Sequence, residues 1–352
     1  MRKKGFTALA TLCTMAILLC ACTRPSTVKT VQQDSVAMGS AVSIKVYGTD
    51  EAQLANSAKT ALQAVSKLDT TYLSKSLPTS ELYQINHANH TEPQAVSDRL
   101  YHALAQTMTV YAHTKGSAAL ASGALTELWG MDTDEFRVPS EQEIAAVRPL
   151  ITDAQVTLDA TKKTVSFPQG YILNLGSVGK GMACDVAIER LQNAAQREGI
   201  QGAVISVGGS IGTFGKPAER DAFTIGIRNP FGGANDFFAK LSVQDTYLST
   251  SGTYEKQFTE NGKTYHHLLD LTTGYPKVSS LVSVTVMAKS GLLSDALSTL
   301  SFLLGQEAAE PVLQQYGAEA VFVYADKRVS YTEGLQKSFT LLNQEFKVVE
   351  PS

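Results

Sequence analysis

The sequence predicts an α+β fold, a mixed sheet core with flanking helices, and three observations lead there. Short alternating apolar runs such as "AVSIKVYG" (41–48) and "LVSVTVMA" (281–288) read as strands, with Val42, Ile44 and Val46 on one face. Stretches with apolar residues three and four apart, such as 50–73, read as amphipathic helices. The two kinds are interleaved, yet several neighbouring strands read as hairpin-linked, which separates the chain from a doubly wound parallel sheet.

The first residues come before the fold. "MRKKGFTALATLCTMAILLCACTRPS" opens with Arg2, Lys3 and Lys4 and continues in an apolar run from Phe6 to Ala21. A basic start and a short apolar run are the marks of an export signal. The run falls short of the roughly 20 apolar residues a spanning helix needs. It ends in "LCAC", which resembles a bacterial lipobox, so residues 1–21 are expected to leave and Cys22 to carry lipid. Localisation would then be a membrane, lipid-anchored on its extracytoplasmic face. Residues 22–35 are polar and aperiodic and read as a tether, leaving 36–350 as the folded domain.

Along that domain, Leu54, Ala58, Leu62, Val65 and Leu68 mark a helix capped near Asp50. "SKSLPTSELYQINHA" reads as loop and turn, and a second helix opens at Ser97 and closes by Gly116. "PSEQEIAAV" carries a capping box, Ser140 with Glu143. "AQVTLD", "TVSFP" and "YILNL" are short β signals, followed by a helix from about Gly181 to Arg197 that ends at Gly199. "GAVISVGG", "FTIGIRNP" and "AKLSVQDTYLSTSG" are strand-like. A helix from about Leu292 to Leu304 and the hairpin "AVFVYADKRVSYT" complete the chain.

Composition excludes some classes. The net charge is −3, and removal of the three leading cations makes the rest more acidic. No basic block stands out, so nucleic acid is not an expected partner. Of four cysteines, two lie in the signal and Cys22 takes the lipid; Cys184 alone is left, as a buried thiol without a disulfide partner.

Three stretches hold residues suited to chemistry. In "SGLLSDALSTLSFLLG" (290–305), Asp295 and Thr299 stand four apart on one helix face. Their oxygens suit a hard cation such as Mg2+, or else Asp295 complements the helix dipole and Thr299 bonds back to a carbonyl. "YILNLGSVGKGMACDVAIERL" is a glycine-rich turn entering a helix, with Lys180 at its start: either an anion cradle or a plain turn. It is not a Walker A loop, since no Ser or Thr follows the lysine. In "YHHLLDLTTGYP" (265–276), adjacent histidines on a strand point to opposite faces and do not share a metal. One of them suits general acid–base work, or serves only as a structural residue.

"MGS" (38–40), "LWGM" (128–131), "LGSVGKG" (175–181), "HHLLDLTTGYP" (266–276) and "SDALST" (294–299) occur together in the order of one family. In this the chain resembles the bacterial FAD:protein FMN transferases, the ApbE family, from about residue 36 to 345. The resemblance implies an ApbE-like fold and a Mg2+-dependent enzyme that takes FAD as substrate. FMN would pass to a Thr or Ser hydroxyl of an acceptor protein, and AMP would leave. By position, it implies a metal held by Asp295, Thr299 and the backbone carbonyl of Ser177. Lys180 matches the nucleotide-binding lysine, and His267 the histidine that assists deprotonation of the acceptor. Met38, Leu269, the "LSKS" residues Ser74, Lys75 and Ser76, and the segment Ala118, Ala119 and Leu120 match contacts to FAD.

There are departures. The "LSKS" stretch lacks the usual aromatic, "AALA" (118–121) replaces "FDPT", Asn174 replaces an Asp, and Ser210 follows the Gly-Gly pair. Two other readings therefore stand beside transfer: a non-catalytic flavin-binding lipoprotein, and an FAD pyrophosphatase giving FMN and AMP. A two-lobed solute-binding lipoprotein is disfavoured, because no internal repeat is present.

Overall fold

The computed structural model describes residues 28–131, 133, 135–218 and 220–349. The signal segment and Cys22 lie outside the described residues. Nine strands form the main sheet: β1 (Lys29–Ala37), β2 (Ser40–Gly48), β3 (Ile200–Val207), β4 (Ser210–Gly215), β5 (Tyr247–Gly252), β6 (Leu281–Ala288), β7 (Glu319–Tyr324), β8 (Arg328–Tyr331) and β9 (Lys347–Val348). Their order across the sheet is their order along the chain. Every neighbouring pair is antiparallel except β8 and β9, which run parallel and make the sheet mixed.

Among the described residues the four longest helices are α1 (Glu51–Lys67), α2 (Asp98–Tyr111), α3 (Gly179–Glu198) and α4 (Gly291–Leu304). α1 and α3 pack together over β2 and β3, and α4 packs on β5, β6 and α3. A three-stranded sheet of Phe223–Arg228, Phe237–Val243 and Phe339–Leu341 meets the same nine strands through a separate core. The alternation of β7 decides which layer each residue enters. Ala320 and Phe322 join the helical core, whereas Val321 and Val323 join the core of the small sheet. Both faces of β7 are therefore buried, which explains its unbroken apolar run.

The caps expected at Asp50, Ser97 and Ser140 are present. Asp50 accepts from the N–H groups of Ala52 and Gln53, Ser97 from Leu100, and Ser140 forms a reciprocal box with Glu143. Cys184 is buried and free, and burial pushes its thiol well up. Among the described residues no helix is long and apolar enough to cross a membrane.

The structure departs from the sequence reading in four places. Residues 29–35, read as tether, belong to β1, whose ladder runs from Lys29 opposite Gly48 to Ala37 opposite Ser40. As the outer strand, β1 is held by its backbone and exposes polar residues, so it shows no apolar period. "YILNL" forms no strand, because its peptide groups are claimed elsewhere. Leu173 N–H donates to Asn86 Oδ1, Asn86 Nδ2 donates to the Leu173 carbonyl, and Asn174 N–H donates to the Leu120 carbonyl.

The stretch read as loop before α2 contains a helix at Glu81–Asn86, anchored by buried Leu82 and Ile85. A hairpin of Gln257–Glu260 and Lys263–His266 also forms, turned by Asn261 and Gly262, both at positive φ. It stands immediately before His267.

Candidate active site

The site is built where two helices begin. Gly181 in the first turn of α3 touches Gly291, the first residue of α4. A Cβ on Gly181 would lie 2.0 Å from the Gly291 carbonyl oxygen, and one on Gly291 2.0 Å from that of Gly181. Only glycine at both positions allows this approach. Each helix then caps the other. Asp295 Oδ2 of α4 accepts from Gly181 N–H at 2.8 Å, and Asp185 of α3 accepts from Gly291 N–H at 2.7 Å and Leu292 N–H at 2.9 Å. Burial raises the Asp185 pKa to about 6, against the two N–H groups that favour its charged form.

Asp295 is 5% exposed, and burial raises its pKa, while the charge of Lys180 pulls the other way. Around it gather the other oxygens expected from the sequence. Tyr111, at the end of α2, donates its phenolic O–H to Ser177 Oγ at 2.5 Å. Burial pushes that phenol up, the Asp295 carboxylate adds to the rise, and the Thr299 hydroxyl lies within its reach. Ser177, Asp295 and Thr299 thus come from a turn and a helix to one place.

Below Thr299, hydroxyls hold α4 against β5. Ser251 Oγ lies 2.8 Å from Ser298 Oγ and 3.3 Å from Thr299 Oγ1, and Ser249 Oγ lies 2.8 Å from Ser294 Oγ. Short polar side chains at this interface fix the position of the helix while keeping their hydrogen bonds satisfied.

Among the described residues no group of three His, Cys, Asp or Glu could hold a metal. The set here is one carboxylate with neutral oxygens, which suits a hard cation that keeps part of its water. The buried Asp295 carboxylate supports that fit, since a cation seated on it would reverse the rise in its pKa.

Lys180 opens α3, and its stem lies against Gly208, where a Cβ would be 3.2 Å from Lys180 Cδ. Its charge acts on Asp295 and on His267 alike. His267 is pushed down to about 4, first by burial and then by Lys180. Its Nδ1 stands 3.3 Å from the Lys256 carbonyl, a bond that requires the proton on Nδ1 and leaves Nε2 to accept.

His266 points away from this group, as alternation along a strand requires. Its Nε2 faces the Lys277 carbonyl, its Nδ1 accepts from Leu268 N–H, and its ring stands edge-on to Phe302. Asp270 is spent on the turn after it, accepting from Thr272 N–H, Thr272 Oγ1 and Lys277 Nζ. Trp129 is fully buried and donates its Nε1–H to the Gly274 carbonyl at 2.9 Å, so "LWGM" braces "TTGYP".

The remaining expected contacts divide. Met38 sits at the β1–β2 turn with φ 54, and a Cβ on Gly179 would lie 3.2 Å from its Cε, which places it at the start of α3. A non-glycine residue held at positive φ costs about 1 kcal/mol or more, a strain often kept at functional sites. Asp69 holds it there by accepting from Met38 N–H. Ser74 Oγ is engaged by its own loop, accepting from the N–H groups of Ser76 and Leu77, while Ser76 Oγ lies 3.2 Å from it. Lys75 Nζ reaches Thr126 and Glu127 at 3.5 Å each.

Ala118 and Ala119 carry no polar side chain, and Leu120 is fully buried with both backbone groups engaged. Leu269 is buried as well, its N–H donating to the His267 carbonyl. Sequence reasoning missed Tyr111, Asp185 and Asp153. Asp153 accepts from the N–H groups of Leu120 and Ala121 at 2.9 Å each and so braces the "AALA" segment. A separate cavity of about 480 Å³ opens beside the Asp185 cap, lined by Arg99, His102, Met182 and Ser290, and none of the expected metal, FAD or acid–base residues lines it.

Residues 38–322 match the ApbE family. This chain belongs to the ApbE family. It is 31% identical over 319 residues to an FAD:protein FMN transferase of Klebsiella pneumoniae, covering 90% of this chain and 96% of the relative. With the FAD:protein FMN transferase of Treponema pallidum it shares 27% over 350 residues, 94% and 96% of the two chains.

The fold is that of solved ApbE structures. The ApbE protein of Thermotoga maritima superposes with a TM-score of 0.78 at 24% identity, over 88% of this chain and 99% of that one. The apo flavinyl transferase ApbE of Pseudomonas stutzeri gives 0.73 at 25% identity, over 88% and 97%. The ApbE-family match begins at Met38, on the turn that carries the strained φ, and takes in Tyr111, Ser177, Lys180, His267, Asp295 and Thr299.

Proposed function

We propose that this protein transfers the FMN half of FAD to a threonine or serine hydroxyl of an acceptor protein and releases AMP. One observation carries the reading beyond family membership: Lys180 is near enough to both Asp295 and His267 for its charge to act on each. A diphosphate beside Lys180 would therefore stand near an oxygen-donor set and a neutral imidazole.

The acceptor oxygen attacks the phosphorus of the FMN half, and the bond from that phosphorus to the bridging oxygen breaks. The bridging oxygen leaves with AMP, and the acceptor's proton passes to His267 Nε2. Lys180 would hold the diphosphate as a point charge at the start of α3, whose first N–H groups are taken by the Leu175 carbonyl and the Asp295 carboxylate. Ser177, Asp295 and Thr299 would hold a divalent cation, Mg2+ by donor type, which neutralises charge on the diphosphate and the departing phosphate.

Incubation with FAD, Mg2+ and a purified acceptor tests this. The expected result is an acceptor heavier by one FMN group, with an equal amount of AMP. FAD left intact with every acceptor tried would overturn it. Ala119, standing where the family pattern has an aspartate, favours a second reading, a lipoprotein that binds flavin without turnover. Incubation without acceptor separates the rivals: FMN with AMP identifies a pyrophosphatase, and bound, unchanged FAD identifies a carrier.

The N-terminal signal supports lipidation at Cys22 and anchoring to the extracytoplasmic face of a membrane. Cys22→Ser should abolish incorporation of a labelled fatty acid and release the protein from the membrane fraction. Labelling that persists would exclude this anchor.

A further inference from the structure

We propose that the turn carrying Met38 is held in a strained form for FAD, and that Asp69 is the positioning residue that keeps it so. This rests on the reading of FAD as the ligand of the site. Met38 and Gly39 are the two central residues of the hairpin between β1 and β2, with Ala37 paired to Ser40 across it. Both have positive φ, 54 for Met38 and 64 for Gly39, as a tight two-residue hairpin turn demands. Glycine meets that demand freely, and asparagine tolerates it through local hydrogen bonds; methionine has neither means. Support for Met38 has to come from outside the turn, and what the turn gains is its side chain.

That side chain reaches the start of α3. A Cβ on Gly179 would lie 3.2 Å from Met38 Cε and 3.8 Å from Leu73 Cδ1, so glycine at 179 leaves the room these two side chains use. Lys180 follows, and its stem shares a neighbour with the same turn. A Cβ on Gly208 would lie 3.2 Å from Lys180 Cδ and 3.1 Å from Ser40 Oγ. The thioether of Met38 thus stands close to the cation expected to hold the diphosphate, where it offers soft apolar contact to an aromatic ring of the dinucleotide.

The outside support is a π-helical turn, Leu68–Leu73, into which α1 runs on. It is closed by Ser74 N–H donating to the Asp69 carbonyl at 3.0 Å. Such turns recur at functional sites. Asp69 accepts from Met38 N–H at 2.9 Å, and Leu73, at the other end of the turn, meets the Gly179 position. The N–H of the first central residue has no partner inside a two-residue hairpin turn, so the carboxylate takes a donor that the turn leaves over.

Flavin fluorescence anisotropy, with FAD as the probe, Mg2+ present and no acceptor, reads binding apart from transfer. Asp69→Leu should weaken FAD binding by about fivefold or more, the worth of one hydrogen bond. Asp69→Asn, whose amide oxygen still accepts from Met38 N–H, should bind within about twofold of the wild type. Met38→Gly removes both the strain and the side chain and should weaken binding as Asp69→Leu does. Adding Asp69→Leu to Met38→Gly should cost nothing more, because glycine keeps the positive φ unaided. A merely structural Asp69 would lower affinity equally in both backgrounds.

A folded Asp69→Leu protein with wild-type FAD affinity overturns the inference, and so does an equal loss in both backgrounds. If Asp69→Leu does not fold, wild-type affinity in Met38→Gly overturns it instead. Wild-type protein that binds no FAD would bring down the FAD reading and this inference together. Binding by the wild type with equal binding by the variants would remove the roles of Met38 and Asp69 alone.

Discussion

Asp185 and Asp295 stand on different helices, and each closes the N-terminus of the helix that carries the other. Asp185 accepts from Gly291 and Leu292 at the start of α4, and Asp295 accepts from Gly181 in the first turn of α3. The two carboxylates nevertheless have separate duties. Asp185 is structural, whereas Asp295 also faces the oxygen cluster around Tyr111.

Asp185→Ala should therefore lower stability by about 1–2 kcal/mol, the usual loss when a helix cap is removed. Urea unfolding measures it. Because α4 carries Asp295 and Thr299, cation affinity should fall in the same variant, although Asp185 is not a ligand.

Asp295→Asn should separate function from stability. The amide oxygen can still accept from Gly181 N–H, and the buried charge, whose pKa is raised by desolvation, disappears. Thermal unfolding without metal should show a midpoint equal to or above that of the wild type. Mg2+ should raise the midpoint of the wild type and leave the variant unmoved, with FMN transfer lost by about a hundredfold or more.

Gly181→Ala tests the helix junction. The added Cβ would meet the Gly291 carbonyl at 2.0 Å, backbone against backbone, with no flexible side chain to give way. Destabilisation of about 3 kcal/mol is expected, at the upper end for overpacking, and denaturant unfolding reads it.

His267 sets the acid limit. Its folded pKa, about 4, lies below the ordinary value near 6.5. The ring is neutral above pH 4 and accepts no further proton below it, so an acid limb near 4 is expected in kcat/KM, which reports the free enzyme. The stability effect has the same direction. Between pH 6.5 and 4 the unfolded chain binds the proton first, so this group's contribution falls as pH falls through that window. NMR titration of the ring checks the value, and Lys180→Met should move it upward by removing a nearby positive charge.

Much of this was legible locally. Asp50, Ser97 and the Ser140–Glu143 box announce their helices because capping depends on residues within one turn. The alternation of 281–288 announces β6 for the same kind of reason. Asp295 and Thr299 were legible as a pair because helix geometry puts residues four apart on one face.

Tyr111 was not legible. In an amphipathic helix an aromatic residue reads as core, and its partner Ser177 lies far along the chain. Asp185 was hidden likewise, looking like a solvated helix residue until α4 is set against it. β1 escaped because an outer strand with polar side chains carries its information in backbone hydrogen bonds.

The order of the nine strands bears on how the molecule assembles. β1 and β2 can zip into a hairpin early, but the inner edge of β2 has to wait for β3, with residues 49–199 in between. A chain emerging from its N-terminus thus shows an unsatisfied row of peptide groups until more than half its length has appeared. Closing that long loop is the slow, entropy-limited kind of event. A chaperone that shields the β2 edge during this interval should speed refolding more than one acting on the β7–β8 hairpin, which forms from adjacent sequence.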